Sequence, residues 1–502
     1  MEVFCWAVAL LPPNKAFLRE EGITSLPGVI MDRTYAVRIP SSPAGAYQGK
    51  RTVEEEGPRK VPVMAETEVL VVGSGPAGLA AALGAAREGV ATMLVERYGC
   101  FGGAITQVGV ESIAWYRYEG TTDVEGIGIE FERRAREMGG TYRYPGLQFD
   151  LLDAEMFKYV ADRMVQEAGI VPLLHCLAVA PIMEGDTIKG IITESKSGRQ
   201  AILAKRIIDA TGDADIAFRA GAPCRKTPKD EMMDVTVMFS CAGVNKERFL
   251  EYVKENPLTF KDWDENWEVK TTGKEDGLFS PYLGEPFDRA REEGLIPQDL
   301  TGIRGTWSTL TDVGEATGLN LVHMRGYDCT DVWDLTKAEI EGRHQVMLAI
   351  EALRKYVPGF ERAKLRNFGM TLGTRDSRKI IGRYCLTEHD VLNQARFEDS
   401  IGIFPEFVDG YGVLILPTTG RYFQVPYGIT VPQKVENLLV AGRCVAGDKI
   451  AHAAMRNMMA CTVTGQGAGV AAAVSVKDGV RCSAVNIKRV QEALKRQGVR
   501  IF

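Results

Sequence analysis

Three basic side chains in the C-terminal half of this 502-residue chain have types and spacing suited to substrate chemistry. His452 can donate and accept protons near neutral pH. Arg456 follows four residues later, so the two side chains would share one face if the segment is helical. Arg375 precedes Arg378 in a polar run, and guanidinium groups bind carboxylates well. The sequence therefore predicts proton transfer by His452 and binding of an anionic or carbonyl oxygen by Arg456 and Arg375.

A structural role stays open for each of these side chains. Arg375 and Arg378 are equally suited to ion pairs with Asp376 and its neighbours. A lone histidine such as His452 is usually a packing residue, so its function depends on what the fold places beside it.

A glycine-rich segment much earlier in the chain predicts the group that these side chains would face. Residues 69–72 are β-branched and aliphatic, as in a fully buried parallel strand. Gly73 then allows a tight turn, Gly75 lets the backbone approach a pyrophosphate, and Gly78 lets the following helix pack closely. The helix N-terminus, which begins with Pro76-Ala77, supplies free N–H groups to that pyrophosphate. An ADP-containing dinucleotide is therefore predicted.

An acidic residue and three further segments refine this prediction to FAD. Glu96 and Arg97 end a second strand, where an acid accepts hydrogen bonds from a ribose. The pair Gly102-Gly103 lets the chain wrap a long cofactor, and a strand at 206–209 ends in Ala210-Thr211-Gly212. Another buried strand ends at Gly442, and Asp448 and a small-residue helix with Gly465-Gln466 follow it. A second complete glycine-rich unit for NAD(P)H is not found in the sequence.

Together these segments resemble the glutathione-reductase-fold flavoproteins. More narrowly, the chain resembles bacterial FAD-dependent oxidoreductases, which are distantly similar to fumarate reductase flavoprotein subunits. The matching blocks are residues 62–106, 371–390 and 426–473. The resemblance implies an α/β fold, in which a Rossmann-like FAD-binding domain of the glutathione-reductase type carries an inserted α+β substrate domain. It also implies non-covalent FAD held by Gly73, Gly75, Pro76, Ala77, Gly78, Glu96, Arg97, Gly102, Gly103, Thr106, Ala210, Thr211, Gly212, Gly442, Asp448, Gly465 and Gln466.

Composition and the positions of proline and glycine residues predict how the chain is divided into domains. Residues 1–58 contain prolines and glycines with little periodicity and are expected to be an N-terminal extension. Residues 59–233 and 426–502 are expected to form the FAD-binding domain. Residues 234–425, which are rich in aromatic residues, are expected to form the substrate domain. Aromatic residues in this stretch are more often core than ligand contacts, so none receives a substrate role.

Charge and cysteine usage exclude several classes of protein. The net charge of −6 and the absence of any basic run argue against nucleic-acid binding. No apolar stretch of membrane-spanning length is expected, because Arg87 and Glu88 interrupt the apolar run at 76–86. The ten cysteines contain no CxxC pair and the five histidines show no ligand spacing, so no metal centre is expected. We expect a cytoplasmic protein with reduced cysteines. We expect it to act on a small molecule. Both a homo-oligomer and an electron-transfer partner are compatible with the sequence.

Three functions remain compatible with the sequence. The leading one is an FAD-dependent oxidoreductase that transfers a hydride between the flavin and a small organic substrate at a C–C or C–O(N) bond. The second is a redox-neutral flavoprotein such as an isomerase or hydratase. The third is a flavin-binding subunit of a larger redox complex. Only the first function, the oxidoreductase, predicts that a substrate changes the oxidation state of the flavin, which is seen as bleaching on reduction and return of colour on reoxidation.

Overall fold

The structure is a computed structural model that describes residues 60–113, 124–143, 150–259, 267–273, 275–277, 279–416 and 420–502. The N-terminal extension expected at 1–58 lies outside these residues.

Within them the strands are β1 Val63–Val72, β2 Thr92–Val95, β3 Thr141–Tyr142, β4 Leu151–Leu152, β5 Val171–Leu173, β6 Leu177–Glu184, β7 Thr187–Ser195, β8 Gly198–Asp209, β9 Cys224–Lys226, β10 Val235–Thr236, β11 Phe239–Ala242, β12 Glu268–Lys270, β13 Tyr282–Leu283, β14 Ile303–Thr306, β15 Thr309–Leu310, β16 Glu315–Met324, β17 Lys364–Phe368, β18 Arg378–Ile380, β19 Ser400–Pro405, β20 Val408–Gly410, β21 Val413–Ile415, β22 Tyr422–Pro426 and β23 Leu438–Val440. The α-helices are α1 Pro76–Arg87, α2 Ile127–Glu137, α3 Ala154–Glu167, α4 Asp215–Arg219, α5 Lys246–Glu255, α6 Glu285–Glu292, α7 Val332–Tyr356, α8 Glu388–Leu392, α9 Lys449–Met455, α10 Met458–Asp478 and α11 Ile487–Arg496. A π-helix spans Ala104–Val108.

The first sheet has the order β5-β2-β1-β8-β7-β6, and β23 also pairs with β8. Strands β5, β2, β1, β8 and β23 are parallel, whereas β6 and β7 form an antiparallel extension. The residues of β1 at 69–72 are buried, as the apolar run predicts. A mixed α/β fold with a Rossmann-like sheet is therefore present, and its C-terminal strand β23 returns beside β8 from more than 200 residues downstream.

Helix α10 packs directly on α1 beneath this sheet. A Cβ added at Gly465 would lie 2.1 Å from the carbonyl oxygen of Ala77, and one at Gly469 would lie 2.1 Å from that of Ala81. The small residues of α10 thus allow the two helix backbones to touch. This contact holds the N-terminus of α1 in a fixed position at the edge of the sheet.

The second sheet is antiparallel and has the order β13-β14-β16-β11-β17, with β10 and β15 also paired to β16. All of its strands lie between residues 235 and 368. Its aromatic core includes Phe249, whose ring meets those of Trp307 and Phe360 edge-on at centroid distances of 5.2 and 5.1 Å. The aromatic residues of this stretch that pack in this core match the expectation of a structural role.

Two elements can be compared directly with the sequence. Apolar residues recur at helical spacing over residues 150–164, and helix α3 covers most of this stretch, with its N-cap Asp153 accepting from the N–H groups of Glu155 and Met156. The strand predicted at 206–209 is the end of a longer strand, β8, which pairs with β1 from Ala201 onward.

Helix α10 also corrects the expectation that no apolar stretch reaches membrane-spanning length. Among the described helices it alone is long and apolar enough to cross a membrane by length and composition. However, 94% of its apolar window is buried inside the protein, as it is in an ordinary core helix.

Candidate functional site

A cavity of about 1570 Å³ runs from the carboxyl ends of β1 and β2 to the second sheet. Many of the expected site residues line it: Gly73, Gly75, Pro76, Ala77, Glu96, Arg97, Gly103, Ala210, Thr211, Gly212, Gly442, Arg375 and Arg456. The cavity therefore brings together residues as far apart in the sequence as Gly73 and Arg456.

The glycine turn forms one end of the cavity. Gly75 is the N-cap of α1 and provides no side-chain acceptor for the N–H groups of the first helical turn. These groups and the positive end of the helix dipole favour an anion at this position. A Cβ added at Gly103 would lie 2.5 Å from the Cα of Gly75, so the two glycines allow the chain segments to touch. A phosphate-binding cradle is the result.

Glu96 lies beside this cradle at the end of β2 and is buried. Its Oε2 accepts hydrogen bonds from the Ser74 N–H at 2.9 Å and the Ser74 hydroxyl at 2.6 Å. Its Oε1 accepts from the Tyr98 N–H at 2.9 Å. An ionised carboxylate has about four lone-pair sites, so Glu96 retains capacity for a hydroxyl donor such as a ribose.

The turn after β8 forms the facing wall. The buried carboxylate of Asp209 accepts from the N–H groups of Thr211, Ile216 and Ala217, which fixes the turn. Next to it, Arg443 donates to Asp213 Oδ1 at 2.7 Å and Arg443 also lines the cavity. Neither member of this ion pair is among the residues predicted from the sequence. Asp213 and Arg443 directly follow Gly212 and Gly442, and this is the feature of the sequence from which their place at the cavity could have been predicted.

Asp448 does not line the cavity, contrary to the expectation that it holds the cofactor. It is the N-cap of α9: its Oδ1 accepts from the Ala451 N–H at 2.9 Å, and its Oδ2 accepts from the Glu388 N–H at 2.7 Å. Both carboxylate oxygens thus serve the local backbone. The residue directly after Gly442, Arg443, does line the cavity.

Gly465 and Gln466 were also expected at the cofactor and lie elsewhere. Gly465 provides the contact of α10 with α1. The side chain of Gln466 accepts from the Ile127 N–H at 3.0 Å and donates to Gln497 at 3.1 Å. These residues therefore hold helices together beneath the sheet.

Gly78, Gly102 and Thr106 support the cradle from behind rather than line the cavity. A Cβ at Gly78 would lie 1.8 Å from the carbonyl oxygen of Gly73, so only glycine fits where α1 meets the turn. The N–H of Gly102 donates to the Ser74 carbonyl at 2.9 Å. The hydroxyl of Thr106 donates to the Phe101 carbonyl at 2.6 Å.

Arg375 and Arg456 lie in a different part of the same cavity. The guanidinium of Arg375 donates to two neutral oxygens, the Asp234 carbonyl at 2.8 Å and Asn320 Oδ1 at 3.4 Å. Burial lowers the pKa of Arg375 to about 10, and the positive charge of Arg456 acts in the same direction. Arg456 donates to Asp409 Oδ2 at 2.7 Å, and its buried Nε has no hydrogen-bond partner within the described structure.

His452 is buried behind this wall and does not line the cavity, which corrects its expected placement at the flavin. Its Nε2 lies 3.0 Å from the carbonyl oxygen of Arg375 and 3.8 Å from Asp376 Oδ1. Burial and the nearby Lys379 charge lower the pKa of His452 to about 3, so the ring is neutral. Because a carbonyl only accepts, Nε2 carries the proton and donates it. His452 thus positions Arg375.

Asp376 and Lys379 form a buried ion pair next to Arg375. The Lys379 ammonium donates to Asp376 Oδ1 at 2.5 Å, and less than a twentieth of either side chain is exposed. The hydroxyl of Tyr411 donates to the other carboxylate oxygen at 2.7 Å. Arg378 pairs instead with Asp215 at 2.5 Å. The structural ion pairs left open by the sequence are therefore present for Asp376 and Arg378, but not for Arg375.

The dimensions of the site fit FAD. Sites for small ligands have volumes of roughly 300–1,000 Å³, and this cavity is larger. Its glycine end has helix N–H groups without side-chain caps, a close approach of Gly103 to Gly75 that a Cβ would block, and the acid Glu96. These are the partners that a pyrophosphate and a ribose require. The remaining volume extends to Arg375 and Arg456.

Comparison with known proteins agrees with this assignment. The model of the family described as FAD dependent oxidoreductase matches residues 68–494. Thiamine thiazole synthase of Methanococcus vannielii is 30% identical over 169 residues, which are 30% of this chain and 58% of that protein. Digeranylgeranylglycerophospholipid reductase of Methanosphaerula palustris is 28% identical over 160 residues, which are 29% of this chain and 39% of that protein. The chain thus spans 58% and 39% of the lengths of these relatives.

Among solved structures, a geranylgeranyl bacteriochlorophyll reductase-like protein from Thermoplasma acidophilum superposes with a TM-score of 0.44 at 14% identity. The superposition covers 86% of this chain and 83% of that one. None of these named relatives is a glutathione reductase or a fumarate reductase. The family model therefore confirms the resemblance to FAD-dependent oxidoreductases and the cofactor FAD, whereas the glutathione-reductase type and the distant similarity to fumarate reductase flavoproteins stay predictions.

Proposed function

The chain belongs to the FAD dependent oxidoreductase family, and we propose that it transfers a hydride between FAD and a small organic substrate that carries an anionic or carbonyl oxygen. FAD supplies the hydride acceptor or donor when it is bound. The protein supplies the binding sites for the two partners. One observation carries the proposal: a single cavity joins the phosphate cradle at Gly75 to the guanidinium groups of Arg375 and Arg456.

Arg375 supports an anionic substrate group because its own charge lacks a carboxylate partner. Among the described residues, no carboxylate oxygen forms an ion pair within 4.0 Å of Arg375, and its guanidinium donates to two neutral oxygens, the Asp234 carbonyl and Asn320 Oδ1. A pKa of about 10 still leaves the guanidinium charged at neutral pH. A partly buried cation without a carboxylate partner costs free energy, which a bound oxyanion would offset.

Arg456 is the second candidate contact. Asp409 holds one edge of its guanidinium, and the buried Nε has no partner. Arg456 lines the cavity, so the part of its guanidinium that Asp409 does not occupy is suited to a ligand. We propose that His452 contributes indirectly, because its hydrogen bond to the Arg375 carbonyl fixes the backbone that carries this guanidinium.

The domain organisation is part of the same proposal. We propose a glutathione-reductase-type FAD-binding domain from residues 59–233 and 426–502, with residues 234–425 as the inserted substrate domain. The support is that the strands of the antiparallel sheet all come from the middle segment, whereas β23 rejoins the parallel sheet. FAD is proposed to be bound non-covalently.

The test is an anaerobic screen of small carboxylates and carbonyl compounds against the FAD-loaded protein, in the oxidised form and after photoreduction. Substrates should bleach or restore the visible flavin absorbance. Arg375→Gln should keep its FAD and react about 10²–10³-fold more slowly, the usual cost of losing one preorganised donor to a substrate oxygen. Arg325→Gln is the matched control, because Arg325 also lines the cavity but is 76% exposed and pairs with Asp234.

Two outcomes would contradict the proposal. If the Arg375→Gln protein reacts as fast as the wild type, Arg375 does not bind the substrate. Conversion of a substrate without any change in the flavin spectrum would favour the redox-neutral alternative.

A further inference from the structure

A second cavity, of about 450 Å³, lies behind the chain segment that follows the phosphate cradle. Residues of this segment face the two cavities in turn: Val110 and Ser112 line the first cavity, whereas Gly109 and Glu111 line the second. Volumes of roughly 300–1,000 Å³ are usual for the sites of small molecules. The second cavity is therefore large enough for a ligand of its own.

The carboxyl group of Glu111 is buried in the wall of this second cavity. Only 5% of the residue is exposed. Its Oε2 accepts a hydrogen bond from the hydroxyl of Thr317 at 2.8 Å, and Thr317 lines the same cavity. Gly318 makes room for this oxygen, because an added Cβ would lie 2.8 Å from it. The fold thus fixes a carboxyl group at the cavity.

Glu111 forms no ion pair with a basic side chain in the part of the chain that the structure describes. The basic residues found there in the wall of the second cavity, Lys158 and Arg366, are paired with other acids. Lys158 donates to Glu155 at 2.8 Å. Arg366 donates to Glu315 at 2.6 Å. The charge of Glu111 is therefore left for another partner.

Asp153 also lines the second cavity, but it has local donors. Its Oδ1 caps α3, and its Oδ2 accepts from the Tyr142 hydroxyl at 3.3 Å. Burial raises the pKa of Glu111 to about 7, and the negative charge of Asp153 acts in the same direction. The Thr317 hydroxyl and the charge of Arg366 oppose this rise only in part. A bound cation would offset the cost of ionising Glu111.

We propose that the second cavity binds an organic ammonium group, which donates hydrogen bonds to the carboxylate of Glu111. An ammonium is a compact cation with three N–H donors, which suits a buried carboxylate beside a hydroxyl. A metal ion fits less well, because no three His, Cys, Asp or Glu side chains among the described residues are grouped as its ligands. The rest of the ligand would pack against the apolar lining of the cavity, which includes Met238, Phe239, Phe368 and Met370. The ligand is therefore an amine with a small apolar body.

The experiment measures dissociation constants by isothermal titration calorimetry on the FAD-loaded protein at pH 8. The probes are butylamine and benzylamine, each beside its neutral counterpart, butanol or benzyl alcohol. At least one amine should bind more tightly than its alcohol. Glu111→Gln keeps the size of the side chain and an oxygen for Thr317 but removes the charge. It should weaken amine binding about ten- to 150-fold, the range for a hydrogen bond to a charged group.

Glu155→Gln is the matched control. Glu155 lines the same cavity, but it is paired with Lys158 and 61% of its side chain is exposed. This variant removes the same charge from the protein and should leave the amine affinity unchanged.

A second measurement needs no variant. Only the ionised carboxylate of Glu111 accepts the ammonium, whereas the amines stay charged between pH 6 and 8. With a pKa of about 7 for Glu111, amine binding should be about tenfold tighter at pH 8 than at pH 6. The same comparison on Glu111→Gln should show no such change.

Four results would overturn this assignment of the second cavity. They are no saturable amine binding, alcohols that bind as tightly as the amines, an unchanged amine affinity in Glu111→Gln, and an amine affinity that does not rise from pH 6 to pH 8. Each of them leaves the proposed function in place, because Arg375 and Arg456 line the first cavity.

Discussion

Replacing Gly75 should empty the cofactor site without damaging the fold. A Cβ built at this position has one neighbour within 4 Å, the Cα of Gly103 at 3.9 Å, so the protein itself has room for a side chain. The backbone angles of Gly75, φ −61° and ψ −178°, are open to any residue. The added atoms would instead enter the cavity at the N-terminus of α1, where the pyrophosphate is expected.

The expected loss of FAD affinity follows from this geometry. Overpacking by a methyl group typically costs about 1–3 kcal/mol, so Gly75→Ala should weaken FAD binding by about five- to 150-fold. Gly75→Val is bulkier and should also displace the pyrophosphate from the helix N–H groups. Each charge-assisted hydrogen bond lost adds about 1.5–3 kcal/mol. The assay is reconstitution of the apoprotein with FAD, followed by flavin fluorescence, with acid release of the cofactor to quantify occupancy.

Two controls make the result specific. Ala91→Val adds similar bulk at an exposed residue of the same strand–helix–strand unit and should leave FAD binding unchanged. Gly78→Ala should impair folding, since its Cβ would lie 1.8 Å from the Gly73 carbonyl oxygen. A Gly75→Val protein with full FAD occupancy and wild-type affinity would refute the assignment of the cradle.

Two further predictions concern the buried groups behind Arg375. Asp376→Asn should lower the free energy of unfolding by about 3–5 kcal/mol, because it leaves the Lys379 ammonium buried and unpaired. In chemical denaturation, the double variant Asp376→Asn/Lys379→Met should be clearly more stable than Asp376→Asn. Equal stabilities of the two variants would contradict a buried ion pair. His452 has its pKa lowered from 6.5 to about 3, so the unfolded state binds more protons between these values and stability falls as the pH drops below about 6.5. His452→Asn should remove up to about 1.4 kcal/mol per pH unit of this dependence between about pH 6.5 and 5, and an unchanged slope would show that His452 is not the group responsible.

The predicted site residues that the structure brings together at the glycine end of the cavity are local in the chain. Gly73, Gly75 and Glu96 belong to one strand–turn–helix–strand unit, in which short-range spacing fixes the geometry. Gly465 resembles a cofactor-binding glycine in the sequence, because glycine permits the close approach of either a cofactor or another helix. In the fold, the group that approaches Gly465 is the backbone of helix α1 at Ala77.

The substrate end could not be assembled from the sequence in the same way. Asp376 and Tyr411 are 35 residues apart, and their hydrogen bond exists only because β20 and the segment before β18 meet at the cavity. His452 lies between β23 and α10 in the sequence, but the direction of its side chain depends on how α9 packs. That packing turns the ring toward the carbonyl of Arg375 and leaves Arg456 to face the cavity.

A crystal structure of the FAD-loaded protein with a bound carboxylate is the most direct test of whether one cavity holds both the cofactor and the substrate. We expect the ribose at Glu96, the pyrophosphate at Gly75 and the flavin ring toward the second sheet, with the carboxylate on Arg375. A flavin ring directed away from Arg375 and Arg456, or a carboxylate bound in another part of the cavity, would contradict it.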